Sequence, residues 1–242
     1  MFTNNHIKLD SVDSTNSYIL SLQRTDFFRE GLVVSANYQS SGNGQMGKSW
    51  ISNANENILL SLVLEPMISV SDNFVISKIV SLAICDLLIS LGVYPTIKWP
   101  NDILVLNYKI AGLLIQNKLK DDLITHSIIG IGLNVNQIVF PEFSTKATSL
   151  HLELNYQLNI NQIQLELLKC LSYRFKLFRN GSCFNNEFDK FLFLKDKLAF
   201  FEIKNTKVSG VVKGVGKDGR ILVLLEDNRI YKYSNNEIKL LF

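Results

Sequence analysis

The chain has 242 residues, 47% hydrophobic and 19% charged, with a net charge of +3. That length holds one large domain and a small appendage, and the weak charge without a basic tract disfavours nucleic acid as the main partner. Cys85, Cys170 and Cys183 are odd in number and form no C-x-x-C pair, and Cys85 and Cys170, in apolar helical patterns, read as buried thiols that fit a reducing cytosol, while the N-terminus lacks a signal-peptide pattern and no apolar run reads as a bilayer span.

Ile7-Lys8-Leu9 predicts a short strand. Asp13-Ser14-Thr15-Asn16 follows, made of residue types that cap helices, and leads into a helix through Tyr18, Ile19 and Leu22. Residues 32–36 and 58–64 read as strands. Ser71-Asp72 opens a long amphipathic helix through Val75, Ile76, Ile79, Leu82, Leu87 and Leu91, and Gly92 ends it. Thr96-Ile97-Lys98-Trp99 reads as a strand stopped by Pro100, with Trp99 biased to an extended conformation and Asn101 and Asp102 at the strand end. Residues 103–106 and 110–119 flank a turn at Asn107-Tyr108, a hairpin that brings Asp102 and Lys109 to one part of a sheet. Asp121-Asp122 makes the next turn, and 123–133 returns as an apolar strand. Residues 137–147 read as a loop, Asn161 as the cap of a helix through Leu165, Leu168, Leu171, Phe175 and Phe178, and 184–193 as a shorter helix. From about Lys197 the pattern becomes β: 198–203, 207–215, 220–225 and 229–233, spaced as in a barrel of about five strands. The fold class is therefore α+β: a mixed, largely antiparallel sheet with helices over 1–195, then a small β domain over 196–242.

Chemistry concentrates at Gly42-Asn43-Gly44-Gln45-Met46-Gly47, with Lys48 just behind. Clustered glycines let successive amides face one anion. The spacing is also the G-x-G-x-x-G of dinucleotide sites, but residues 48–57 lack the helical period that fingerprint needs. His6, His126 and His151 match no metal-ligand spacing, and no serine sits in G-x-S-x-G.

Five motifs stand in order: Asp13-Ser14-Thr15-Asn16, the glycine loop running to Trp50, Lys98-Trp99-Pro100-Asn101-Asp102, Lys109-Ile110-Ala111-Gly112 and Gly130-Ile131-Gly132-Leu133-Asn134-Val135-Asn136. The series resembles the biotin protein ligases, and Ala147-Thr148-Ser149-Leu150 also fits their pattern. The resemblance implies a catalytic domain of the kind shared with class II aminoacyl-tRNA synthetases, followed by an SH3-like barrel. It implies two steps: biotin and MgATP give biotinyl-5′-AMP and pyrophosphate, then a lysine of a biotin carboxyl carrier protein domain takes the biotin. By the same resemblance Ser14, Thr15, Gln39, Gly42 and Gly112 are expected at biotin. Asn43, Gly44, Gln45, Gly47, Lys48, Trp50 and Asn134 are expected at the nucleotide, Asn134 through Mg²⁺ or a phosphate oxygen. Lys109 is the expected cation between carboxylate and α-phosphate, and Asp102 either helps hold Mg²⁺ or orients the acceptor amine. Phe140 or Phe143 is a candidate cover for the adenine. Asn43 and Gln45 depart from the family, which carries basic residues there. Some members bear an N-terminal helix-turn-helix. Here the first motif comes almost at once, so the expectation is a cytoplasmic enzyme with no sequence-specific DNA partner and no membrane, a homodimer being left open. The alternatives are a lipoate or octanoate ligase or transferase of the same fold, and a non-catalytic biotin-binding protein.

Overall fold

The structure, a computed structural model, describes residue 2 and residues 5–142 and 146–241. Seven strands form the main path of an eight-stranded sheet: β1 (His6–Val12), β2 (Val33–Gln39), β3 (Asn57–Leu64), β8 (Leu123–Asn134), β7 (Tyr108–Lys120), β6 (Asp102–Val105) and β5 (Pro95–Lys98), in that spatial order. The two-residue β4 (Ile68–Ser69) pairs with β8 off that path. β1 and β2 run parallel, joined across α1 (Thr15–Ser21), and every other neighbour pair along the path is antiparallel. The mixed sheet expected from sequence is thus present.

Side chains alternate across a strand, so the sheet has two unlike faces. Leu60, Ile131, Leu113, Ile103 and Ile97 point into the core with α2 (Phe74–Ser90) and α4 (Ile160–Arg179). The other face carries Ser61, Gly130 and Gly132 beside Val34, Val63 and Ile128, which pack under α1. By composition α2 with its preceding turn is long and apolar enough to cross a membrane, contrary to the sequence reading, but 72% of that window is buried. It is the core helix of this domain.

Several boundaries differ from the sequence reading. Asn159, not Asn161, caps α4: its Oδ1 accepts from the Gln162 amide at 3.2 Å. The β6–β7 turn is Leu106-Asn107, because Val105 pairs with Tyr108. Trp99-Pro100 is cis. A short α3 (Leu150–Leu154), capped by the Ser149 hydroxyl, had no apolar period long enough to reveal it. Cys85 is buried, whereas Cys170 is half-buried and Cys183 exposed.

The chain then forms α5 (Asn185–Phe191) and five antiparallel strands. These are β9 (Leu198–Ile203), β10 (Thr206–Val215), β11 (Ile221–Leu225), β12 (Ile230–Tyr233) and β13 (Ile238–Leu241), in the order β12-β11-β10-β9-β13. The last had no residue assignment from sequence. This SH3-like unit docks on the main sheet: Trp99 Nε1 donates to the Gly219 carbonyl at 2.8 Å, and Phe74 packs against Gly219.

Arg174 of α4 ties three helices together. It donates to both Asp86 oxygens of α2 at 2.6 Å and to Glu187 of α5 at 2.6 and 2.7 Å, with its side chain 7% exposed. Arg174→Ala strands two carboxylates, but both are partly exposed and water screens them, so the expected loss is about 2 kcal/mol in urea unfolding near neutral pH. The Arg174 hydrogen bond holds the Glu187 carboxyl below its ordinary value. A depressed carboxylate stabilises the fold above its unfolded pKa, about 4.3, and that contribution vanishes as pH falls through the lower folded value. The gap between wild type and variant is therefore expected to narrow below about pH 4.

Candidate active site

A cleft of about 1250 Å³ opens on the polar face of the main sheet, between α1, the glycine loop and the β9–β13 unit. Its floor is the β7–β8 pair, where Gly112 lies opposite Gly132. A Cβ on Gly132 would stand 2.3 Å from Trp50 Cε2, and one on Gly112 would stand 3.0 Å from Trp50 Cζ3. Only glycine lets the indole lie flat on the strands there. Trp50 Nε1 is buried with no hydrogen-bond partner among the described residues.

One end of the cleft is a polar pocket at the start of α1. Ser14 caps the helix, its hydroxyl accepting from the Ser17 amide. Thr15 donates through its amide and hydroxyl to Gln39 Oε1 at 2.8 and 3.0 Å. The Thr15 hydroxyl also meets the Ser61 hydroxyl at 2.7 Å. Ser61 donates to Asn16, and Asn16 donates to Gln116 Oε1 at 3.0 Å. Ser61 and Gln116 escaped the sequence reading because each sits singly in an apolar strand. Only their period, shared with Gly130, puts them on the cleft face.

The other end is charged. Lys109 Nζ lies 2.6 Å from Asp102 Oδ1 and 5.4 Å from the Trp50 ring centre. The Lys109 backbone is stitched to the segment before α3: its amide donates to the Lys146 carbonyl and its carbonyl accepts from Thr148 N at 2.9 Å. Asn134 Nδ2 donates to the Thr148 carbonyl at 2.9 Å and reaches the Lys109 carbonyl at 3.5 Å. Asn134 thus clamps the lysine's strand, and it still lines the cleft.

The glycine loop is a flap. Asn43 bridges Ser49, Gly44 N donates to the Lys48 carbonyl at 2.7 Å and Trp50 N donates to the Gly42 carbonyl at 2.8 Å. The Gly44 amide is therefore engaged within the flap rather than aimed at an anion. No helix follows, as the sequence reading required. Asn43, Gly44, Gln45, Lys48 and Trp50 line the cleft. Gly42 instead packs behind the flap, where a Cβ would meet the Trp50 carbonyl at 2.5 Å. Gly47 makes the turn with a φ of +73°. Phe140 lines the cleft, and Phe143 lies outside the described residues.

Residues 9–134 match the model of the biotin/lipoate A/B protein ligase family. The chain belongs to that family. A bifunctional ligase/repressor BirA from Bacillus subtilis is 32% identical over 151 residues, which are 61% of this chain and 46% of that protein, so the chain spans about half the length of this relative. A biotin–acetyl-CoA-carboxylase ligase from Mycobacterium tuberculosis is 31% identical over 175 residues, 70% of this chain and 63% of that one. Among solved structures, the biotin protein ligase from Aquifex aeolicus in complex with biotin and ATP superimposes with a TM-score of 0.79 at 25% identity, covering 98% of this chain and 99% of that one. The matched family segment contains the α1 pocket, the flap, the Lys109–Asp102 pair and the glycine floor.

Gly132→Ala tests the floor. The added methyl must displace the Trp50 ring. In a Trp99→Phe background, where Trp50 is the remaining tryptophan, its emission is expected to shift to the red, while stability falls by about 1–3 kcal/mol. Unchanged emission would mean that the indole does not rest on Gly132.

Proposed function

We propose that the chain is an ATP-dependent biotin protein ligase. It activates biotin as biotinyl-5′-AMP with release of pyrophosphate and passes the biotin to a lysine of a biotin carboxyl carrier protein domain. The observation that carries this reading is the Lys109–Asp102 pair at the edge of a glycine floor, in a chain of this family. Membership and the likeness to a ligase solved with biotin and ATP support the substrates.

The first step drives an anion onto an anion, so positive charge must be in place before reaction. The biotin carboxylate attacks the α-phosphorus, the bond to the β-phosphate oxygen breaks, and pyrophosphate leaves with the electron pair. Lys109, held between Asp102 and the Trp50 ring, takes the bridging position between carboxylate and α-phosphate oxygens. The pocket of Ser14, Thr15, Gln39 and Ser61 takes the ureido ring, and the valeryl chain runs over Gly112 and Gly132. The flap residues Asn43, Gly44, Gln45 and Lys48, with Trp50, face the nucleotide. In the second step the carrier lysine attacks the mixed anhydride and AMP leaves. Asp102 can accept a hydrogen bond from that incoming amine once Lys109 turns to phosphate. Magnesium enters with the nucleotide, as part of the substrate MgATP. ATP as substrate and three free cysteines support a cytoplasmic location for the proposed activity.

Biotin-dependent ATP–pyrophosphate exchange tests the reading, with octanoate and lipoate as control acids. Exchange with biotin is expected to fall at least about 100-fold in Lys109→Ala, the scale of removing one preorganised donor from developing charge. Exchange supported by octanoate or lipoate instead would overturn biotin as the substrate. Near-normal exchange in the variant would remove Lys109 from its role.

Gln45 gives a second expectation. An arginine there would add a charge-assisted contact to the adenylate, about 1 kcal/mol stronger than the neutral amide provides. Gln45→Arg is therefore expected to release preformed biotinyl-AMP roughly fivefold more slowly at low salt, with the gap narrowing at high salt. Equal release would show that position 45 does not govern retention.

A further inference from the structure

The polar pocket under α1 contains a hydrogen-bond imbalance that reaches out to Gln116. Gln39 Oε1, the Thr15 hydroxyl, the Ser61 hydroxyl and Asn16 Oδ1 follow one another at oxygen–oxygen distances of 3.0, 2.7 and 2.5 Å. The two ends are carbonyl oxygens and only accept, while each hydroxyl has one proton to give. The three contacts therefore share two protons, and one contact goes without. Asn16 decides which. It donates through Nδ2 to Gln116 Oε1 at 3.0 Å, so Oδ1 is the atom it turns to Ser61. Ser61 must then donate to Asn16, and its oxygen is left to accept from Thr15. Distance alone lets Thr15 donate to Gln39 as well, but that would press two bare oxygens together at the 2.7 Å contact with Ser61. The longer Thr15–Gln39 contact is the cheaper one to leave without a proton, since Gln39 Oε1 still holds the Thr15 amide at 2.8 Å. Asn16 and Ser61 are buried, and Gly130 leaves room for the amide: a Cβ there would stand 2.5 Å from Asn16 Oδ1. Gln116 is exposed and touches the pocket through Asn16.

Run in that direction, from Thr15 through Ser61 and Asn16 to Gln116, the chain leaves two oxygens with lone pairs for a ligand, Thr15 Oγ1 and Gln39 Oε1. Both residues line the cleft. Run in reverse, Asn16 would donate to Ser61 and Ser61 to Thr15. The Thr15 proton would then fill Gln39 Oε1, which already takes the Thr15 amide, and one acceptor would be lost. Resting on the ligase reading, we propose that Gln116 is a positioning residue for biotin recognition. By accepting from Asn16 it fixes the direction of the chain, and the direction sets the pocket to receive N–H donors. A ureido ring brings two N–H groups, whereas a fatty acid such as octanoate brings none. Selectivity between the two acids thus rests in part on a surface side chain that touches neither.

Calorimetric titration of the intact chain with biotin tests this, at an exposed position where folding is not at stake. Gln116→Glu can only accept, so it keeps the direction, and its Kd is expected within about twofold of wild type. Gln116→Lys can only donate, so it reverses or releases the Asn16 amide. It is expected to bind biotin about tenfold more weakly, the cost of one unmet ligand N–H. Simple charge predicts the opposite order, since biotin is an anion. In the exchange assay Gln116→Lys should raise the KM for biotin by a similar factor and change kcat less than about twofold, with the melting temperature unchanged in both variants. Gln116→Lys binding as tightly as wild type would overturn the proposal, as would Gln116→Glu weakened as much as Gln116→Lys. A wild type that binds no biotin would overturn the ligase reading and this assignment together, whereas a wild type that binds, with variants that do not differ from each other, overturns this assignment alone.

Discussion

The structure depends on the register of β7 against β8. Gly112 opposite Gly132 fixes the cleft face, and the adjacent pair, Leu113 opposite Ile131, fixes the core face. A slip of one residue on either strand would put Ala111, Leu113, Ile131 or Leu133 under Trp50 and a glycine under α2. The penalty falls on both sides at once, as lost core volume and as a blocked floor. Burial of Leu113, Ile131, Leu60 and Ile103 beneath α2 and α4 therefore guarantees the open floor on the opposite face. Packing and site are two sides of one hydrogen-bonded ladder.

Electrostatics follows from the same strands. β5, β6 and β7 deliver Lys98, Asp102 and Lys109 to one face, at a sheet edge where burial is incomplete. Asp102 lowers the cost of gathering these ammonium groups but does not cancel it. The remaining excess costs less in the folded protein than it would in a dry core, because Lys109 and Asp102 keep 27% and 19% of their side-chain surface. The stitching of Lys109 to residues 146–148 and the Asn134 clamp resist the repulsion mechanically. That gives Ala147-Thr148-Ser149-Leu150, a motif without a chemical role in the sequence, a physical one.

Much of this was legible from residue types alone. The apolar runs at 58–64 and 123–133 marked strands, and the hairpin between Asp102 and Lys109 brought the two to one part of the sheet, where the structure has them in contact at 2.6 Å. What was not legible depends on distant partners. Nothing local distinguishes Asn159 from Asn161 as a cap, since both are asparagines at a helix start. Ser61 and Gln116 are 55 residues apart in sequence and meet only through Asn16. The glycine loop was read as a cradle of free amides, but glycine permits many backbones, and here the chain pairs Gly44 with Lys48. Gly42 belongs to packing against Trp50, a contact that no spacing rule encodes.

The flap and the floor differ in how firmly they are held. The floor is continuous ladder on both sides of β7 and β8. Beyond its own three internal amide bonds, the flap is held by an Asn43–Ser17 contact at 3.4 Å and an Asn235–Met46 contact at 3.4 Å, both exposed. Met46 is 70% exposed and in the left-handed region, so little apolar burial opposes rearrangement. Segments with few buried contacts open at low free energy. Substrate entry that must move either part will therefore move the flap. Lys48 travels with it, whereas Lys98 and Lys109 stay with the sheet. The charge cluster is complete only with the flap in place, which couples closure over the nucleotide to the field that the phosphates feel.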